Sequence, residues 1–187
     1  MDDGRLRVSD QEPLRRRRLA VLLRALLFLP HLVFIAIWSL PAAAVIVVGW
    51  FVLLAAGRLP ASLHRFLAAY VRYVGQASAW FHLLSGRYPN PLRTGRHPFA
   101  IEVPDCPRQP RLITLLRAVL AIPALLLASA FRIVLSLSAV AAWFAGLVFG
   151  RTTAGLQELG TFCLRYELET VAYVLLLTSR YPRLAPE

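Results

Sequence analysis

The chain has 187 residues, 58% of them hydrophobic and 17% charged, with a mean hydropathy of +0.58 and a formal net charge of +11. Soluble domains are about 45–50% apolar and about 25% charged, and here the apolar excess is gathered into runs such as Leu32 to Ala56 that hold no charge. The pattern excludes a soluble globular enzyme and a disordered tail, and predicts a polytopic, all-α integral membrane protein.

In chain order, residues 1–14 are polar and mixed in charge, and read as a mobile arm. Arg15 to Pro30 follows, a leucine-rich stretch interrupted by Arg24 and closed by proline. This suits a short interfacial helix in the headgroup layer. Its rival is a stretch that simply begins the transmembrane helix. The interfacial reading is preferred because Leu19 to Ala56 as one helix would reach ~57 Å at 1.5 Å per residue. The hydrocarbon core is only about 30 Å thick. A secretory signal is rejected, because Leu19 to Leu40 outruns the apolar region of about 7–15 residues that such signals contain.

Leu32 to Ala56 is the strongest spanning segment, with Trp38 and Trp50 at positions that fit the interfaces. It ends at Gly57-Arg58, a helix stop followed by a headgroup anchor. Ser62 to Leu84 is more amphipathic and carries Arg65, Arg72 and Gln76. Such a helix either spans with its polar stripe turned inward or lies on the surface, and spanning is preferred for its closing apolar turns. Asn90 to Gln109 holds Pro91, Pro98, Pro104 and Pro107 with several charges, a linker that stays in water.

The elements then recur. Shifted by 93 residues, the chain aligns on itself without a gap from 15–89 to 108–182, with about a third of the pairs identical. LLRALLFLP at 22–30 lies over LLRAVLAIP at 115–123, Trp50-Phe51 over Trp143-Phe144, and Gly57-Arg58 over Gly150-Arg151. Arg72-Tyr73 lies over Arg165-Tyr166, and Arg87-Tyr88-Pro89 over Arg180-Tyr181-Pro182. Chance likeness of apolar segments would not keep these polar and aromatic marks in register, so the chain is a tandem duplication. Its parts are the arm 1–14, membrane repeat 15–91, linker 92–107, membrane repeat 108–184 and tail 185–187.

The second repeat has its interfacial stretch at Arg108 to Pro123, its strong span at Ala124 to Phe149 and its amphipathic segment at Gly155 to Leu177. It differs in having Arg132, Ser136 and Ser138 inside the apolar run, where Arg132 either snorkels to headgroups or lines a polar interface between the copies. Pro41 permits a helical hairpin in the first repeat; the second has Val134 there, which ranks the hairpin below a single span. Four spans follow. Arginines crowd the arm (Arg5, Arg7, Arg15 to Arg18), the linker (Arg87, Arg93, Arg96, Arg108, Arg111) and the tail (Arg180, Arg183), which places both termini in the cytoplasm. Two spans per repeat would insert both copies in one orientation, related by a pseudo-two-fold axis along the membrane normal.

The recurring string LLRxxLxxP, long apolar run, WF…GR and RY…LL…RYP resembles a bacterial membrane family known as domain of unknown function 4389. The matching pieces are Leu22 to His31, Trp50 to Pro60, Arg72-Tyr73 and Leu83 to Pro89, with their partners 93 residues on. The second repeat departs at Pro123-Ala124, where the first has Pro30-His31. At Gly150-Arg151-Thr152-Thr153 it also departs from the Gly-Arg-Tyr-Pro of the family, to which Gly57-Arg58-Leu59-Pro60 of the first repeat comes nearer. The resemblance implies an integral membrane protein and supplies no activity or catalytic residue.

The chemistry-bearing residues form no known catalytic pattern. His31, His64, His82 and His97 lack metal-ligand spacing, Ser39, Ser78 and Ser85 lack a hydrolase context, and Cys106 and Cys163 stand apart in unlike settings. No cofactor is expected, nor a nucleic-acid partner, since the basic residues (all arginine) flank apolar runs as membrane anchors do. Glu158, Glu167 and Glu169 are the only carboxylates suited to intramembrane catalysis, and Glu158 is spaced to pair with Arg165 on one helix face. The residues singled out for binding are Arg72, Tyr73, Arg165 and Tyr166, with Arg24 and Arg117, as contacts for an anion or lipid headgroup near the pseudo-axis. For Arg72 and Arg165 the alternative is service to helix-end carbonyls or reach to headgroups. Arg58, Arg151, Arg87, Tyr88, Arg180 and Tyr181 are expected as interface anchors. The expected function is a non-enzymatic accessory or scaffold subunit, or a binder of anionic lipid. A small transporter or channel subunit comes second, and a lipid-modifying enzyme third.

Overall fold

The computed structural model describes residues 7–10, 23–90, 99–103 and 109–184. The arginine cluster 15–18, most of the linker and the tail 185–187 lie outside the described residues. Among those described are four helices, α1 (Arg24–Ala56), α2 (Ala61–Phe81), α3 (Arg111–Phe149) and α4 (Ala154–Val174), and two short strands, β1 (Arg7–Asp10) and β2 (Phe99–Glu102).

The ends of the helices follow from local chemistry. α1 and α3 stop at Gly57 and Gly150, which take left-handed φ of 68° and 69° and donate back to the carbonyls of Leu53 and Gly146. Only glycine enters that region without a steric penalty. α2 and α4 stop differently: Leu83 and Leu176 both take φ of 64°, and Leu84 and Leu177 donate to Ala79 and Ala172. A left-handed leucine costs about 1–2 kcal/mol, offset here by burial of both side chains.

Three findings bear on the expectations at this level. The described parts of the interfacial stretches, 24–30 and 109–123, are not separate helices, because α1 runs unbroken through Pro30 and Pro41 and α3 through Pro123. Each of these prolines forfeits one backbone hydrogen bond on an exposed face, which a long apolar helix tolerates. The hairpin at Pro41 does not form. Second, α1 and α3 are long and apolar enough to cross a membrane, whereas α2 and α4 fall short on apolarity, so two helices and not four meet that standard among the described residues. Third, a short two-stranded ribbon accompanies the four helices of the all-α fold: β1 pairs antiparallel with β2, with Val8 opposite Ile101.

The largest correction concerns how the repeats face each other. Gln109 N donates to Gly57 O (2.9 Å), Arg111 Nη2 to Ala55 O (2.9 Å) and Trp50 Nε1 to Thr114 O (3.0 Å), so α3 begins where α1 ends. Gln109 Nε2 donates to Leu176 O (2.8 Å), which brings the end of α4 to the same place. At the other end of the bundle, Leu84 after α2 abuts Gly160 early in α4, and Leu83 packs with Ala142 and Trp143 late in α3. The repeats therefore run antiparallel. Their pseudo-two-fold axis is perpendicular to the helices, passing between Gly75 and Leu168, which touch, and between Val8 and Ile101, which pair. Both couples are 93 apart, so the duplicated unit reaches back to the strand. Counting spans missed this, because Asn90 to Gln109 at up to about 3.3–3.6 Å per residue can carry the chain past the ~31 Å of α2.

The elements stack in three layers along that axis. Arg72 and Gly75 lie on one face of α2 and meet the ribbon through Ile101. Tyr70, Tyr73 and Trp80 lie on the opposite face and meet α1 through Ser39, His31 and Arg24. The ribbon thus rests on α2 and α4, while α1 and α3 pack on their far side and touch each other. The core between the layers is apolar, with Leu53, Leu67, Val71, Leu135, Leu164 and Leu168 buried.

Candidate functional site

Arg24 and Arg117 sit at the N-terminal ends of α1 and α3 and are only 4% and 3% exposed. Arg24 Nη1 donates to the carbonyl of Trp80, and Arg117 Nη1 to that of Tyr173 at 2.6 Å. Each guanidinium also lies 4.7 Å from the centre of the same residue's ring. Arg117 Nη2 adds a hydrogen bond to Gln109 Oε1. Trp80 and Tyr173 close α2 and α4, whose last carbonyls lack intrahelical donors, so each arginine caps the second helix of its own repeat from the first. A planar, delocalised cation with several donors suits this task under an aromatic ring. Both thus serve helix-end carbonyls, a role the sequence reading leaves open for Arg72 and Arg165 only.

Arg72 comes close to the pseudo-axis on the ribbon side, and Arg165 is its mate 93 residues on. Arg72 Nε donates to Ile101 O at 3.2 Å, and the Arg165 guanidinium lies 5.6 Å from the Phe162 ring centre. The neighbouring tyrosines point the other way. Tyr73 shares a 2.6 Å hydrogen bond with His31 Nδ1 inside a cluster of Phe34, Trp38, Trp80 and Tyr88. Tyr166 packs on Phe131 at 5.0 Å. Adjacent residues of a helix point about 100° apart, so Arg-Tyr at 72–73 and 165–166 joins the ribbon layer to the α1/α3 layer instead of forming one four-residue site.

The anchors occupy equivalent exposed turns. Arg58 follows Gly57, and Arg151 follows Gly150. Arg87 N and Arg180 N donate to Ser85 Oγ (3.2 Å) and Thr178 Oγ1 (3.1 Å), and Tyr88 and Tyr181 lean on Trp80 (5.2 Å) and Tyr173 (5.7 Å).

The second repeat holds a polar feature of its own. Arg132 forms an ion pair with Glu167, with side chains 64% and 14% exposed. The pair lines a groove of about 620 Å³ with Ser129, Ser136 and Thr170 among apolar neighbours. In the first repeat the same place holds a 2.8 Å hydrogen bond between Ser39 and Tyr70. The expected pairing of Glu158 with Arg165 is not made: Glu158 is exposed, and Glu167 of the same helix pairs with Arg132. Glu169 Oε2 instead accepts from the backbone N–H of Arg183 at 3.1 Å. The three carboxylates therefore do not gather into one site.

Gln109, Trp80, Tyr173 and Glu167 were missed as partners. One signal was available: the spacing of 56 from Arg24 to Trp80 repeats from Arg117 to Tyr173. Cys163 is a buried free thiol, and burial of the ring keeps His82 more readily neutral than an ordinary histidine, with Arg132 adding to the effect. Cys106 lies outside the described residues. No group of three or more His, Cys, Asp or Glu among the described residues could hold a metal ion.

No curated protein and no solved structure matches the chain. A family model described as "Domain of unknown function (DUF4389)" matches it twice, at residues 18–93 and 111–184. Those bounds cover the two halves that the hydrogen bonds relate, and the chain belongs to this family, with two copies of its domain in tandem.

Proposed function

We propose that the protein is a non-catalytic membrane protein, an accessory or scaffold subunit of a larger membrane complex that also holds anionic lipid at its arginine-rich ends. The supporting observation is the surface of α1 and α3. Both helices are long and apolar enough to cross a membrane, yet they expose leucine, valine, isoleucine and phenylalanine over most of their circumference. A surface of that size needs lipid or protein to cover it. The buried arginines serve helix ends, a structural task, and Arg58, Arg87, Arg151 and Arg180 are left at the bundle ends to meet headgroups. A bacterial inner membrane with both terminal regions in the cytoplasm fits the arginine-rich arm and linker.

The test is purification of the native protein in gentle detergent, with mass spectrometry of proteins and lipids. A stoichiometric protein partner, or one enriched anionic lipid class, is the expected result. Monodisperse protein bound to neither overturns it. A transporter or channel subunit is the second reading, favoured by the groove that holds Arg132, Glu167, Ser129, Ser136 and Thr170. It requires flux in liposomes that changes on Arg132→Ala or Glu167→Ala.

A further inference from the structure

The ribbon and the two long helices form opposite outer layers of the stack. α1 and α3 carry nearly all of the exposed large apolar side chains, to which α2 adds only Phe81 and α4 only Leu159. The ribbon is built from Arg-Val-Ser-Asp and Phe-Ala-Ile-Glu, and Glu102 is exposed. It lies over the crossing of Gly75 and Leu168, level with the middle of the helices.

Helix axes along a bilayer normal would put that level at the centre of the hydrocarbon. A two-stranded ribbon has two open edges, and open edges do not occur facing lipid in that region. Gln109 lies at the end of the bundle opposite to the close of α2, so the charged connection between the repeats would also have to recross the core. Length points the same way. α1 holds no charged residue from Ala25 to Ala56, roughly 48 Å at 1.5 Å per residue. Fitting that into a core of about 30 Å needs a tilt of about 50°, whereas spanning helices tilt by roughly 0–40°.

We propose that the domain lies in one leaflet with its helix axes close to the membrane plane. α1 and α3 are immersed among the acyl chains, α2 and α4 form the covered middle layer, and the ribbon faces water. The lipid surface is the occupant of the α1/α3 face, and the chain crosses the bilayer nowhere in its described part. The pseudo-two-fold axis then stands along the membrane normal, and the two bundle ends, with Arg58 and Arg180 at one and Arg87 and Arg151 at the other, sit at the same depth. The inference rests on the membrane reading above and replaces spanning with immersion.

Single cysteines test it, introduced as Arg58→Cys, Arg151→Cys and Glu102→Cys in a chain carrying Cys106→Ser and Cys163→Ala. All three positions are exposed. A membrane-impermeant maleimide is applied to sealed right-side-out and inverted vesicles. All three should react from one and the same side, at least tenfold faster than from the other. Reaction of Arg58→Cys and Arg151→Cys from opposite sides overturns the proposal in favour of inverted spans. Reaction of both from the side opposite Glu102→Cys overturns it in favour of four parallel-inserted spans. The unmutated chain supplies a second readout in oriented bilayers: amide infrared dichroism should place the helix axes near the membrane plane, and axes near the normal overturn the proposal. Release of the chain by alkaline carbonate would overturn the membrane reading itself.

Discussion

Replacing Arg117 with methionine keeps the length and the apolar stem of the side chain but removes its donors. Gln109 Oε1 then loses this donor, and Tyr173 O keeps only the 3.2 Å bond from Leu176 N. The orphaned acceptor costs about 1–3 kcal/mol and the lost charge-assisted bond about 1.5–3 kcal/mol, and the contact 4.7 Å from the Tyr173 ring centre adds about 0.5–2 kcal/mol. Against this stands the desolvation of a guanidinium that is no longer buried, worth several kcal/mol before its partners are counted. A net loss of about 2–4 kcal/mol remains. For a chain of this size each kcal/mol moves Tm by about 2–4 °C, so thermal unfolding in mild detergent, followed by tryptophan fluorescence, should drop by roughly 5–15 °C. Arg24→Met should also lower Tm, through the carbonyl of Trp80. Gln109→Leu combined with Arg117→Met should fall short of additivity by about 0.5–3 kcal/mol, because the two side chains share one bond. An Arg117→Met protein that melts within 2 °C of the parent, or strict additivity in that cycle, would refute the capping argument.

Gly75→Ala places a Cβ against Ile101 Cδ1 and 3.0 Å from Leu168 at the pseudo-axis. Both are side-chain tips that can give way, so Gly75→Ala should lower Tm only slightly; Ile101→Ala empties a buried contact and should cost about 2–5 kcal/mol, and an unchanged Tm for Ile101→Ala would show that the ribbon does not dock there. Arg132→Gln leaves Glu167 half-covered without its cation, so the double variant Arg132→Gln/Glu167→Gln should melt higher than Arg132→Gln alone. Equal melting of the two would remove the ion pair as a structural element. His82 donates from Nδ1 to Ser78 O at 2.8 Å, and burial, with a smaller effect of Arg132, lowers its pKa. Below about pH 6.5 the unfolded chain gains a proton that the folded chain resists, so stability falls as pH drops through that range. His82→Gln should flatten that slope between pH 7.5 and 5, and a parent-to-variant difference independent of pH would contradict the assignment.

The duplication, its register of 93 and the helices α2 and α4 were legible in the sequence because local chemistry sets them. Gly57 and Gly150 end helices wherever they stand, and the segments read as 62–84 and 155–177 lie within a few residues of α2 and α4. The unbroken course of α1 and α3 was less legible, since Pro30, Pro41 and Pro123 break helices in water but are tolerated on exposed faces of long apolar ones.

What only the tertiary structure decided is how the two halves meet. Composition and arginine counts are the same for parallel and antiparallel repeats, and a linker of this length permits either. The choice rests on pairings far apart in the chain: Gln109 with Gly57 and Leu176, Trp50 with Thr114, and Val8 with Ile101. The same holds for Arg24 and Arg117, whose value as caps appears only when the ends of α2 and α4 are folded back beneath them. A residue's helix propensity and charge belong to the residue itself, whereas an unsatisfied carbonyl finds its donor only in the assembled fold.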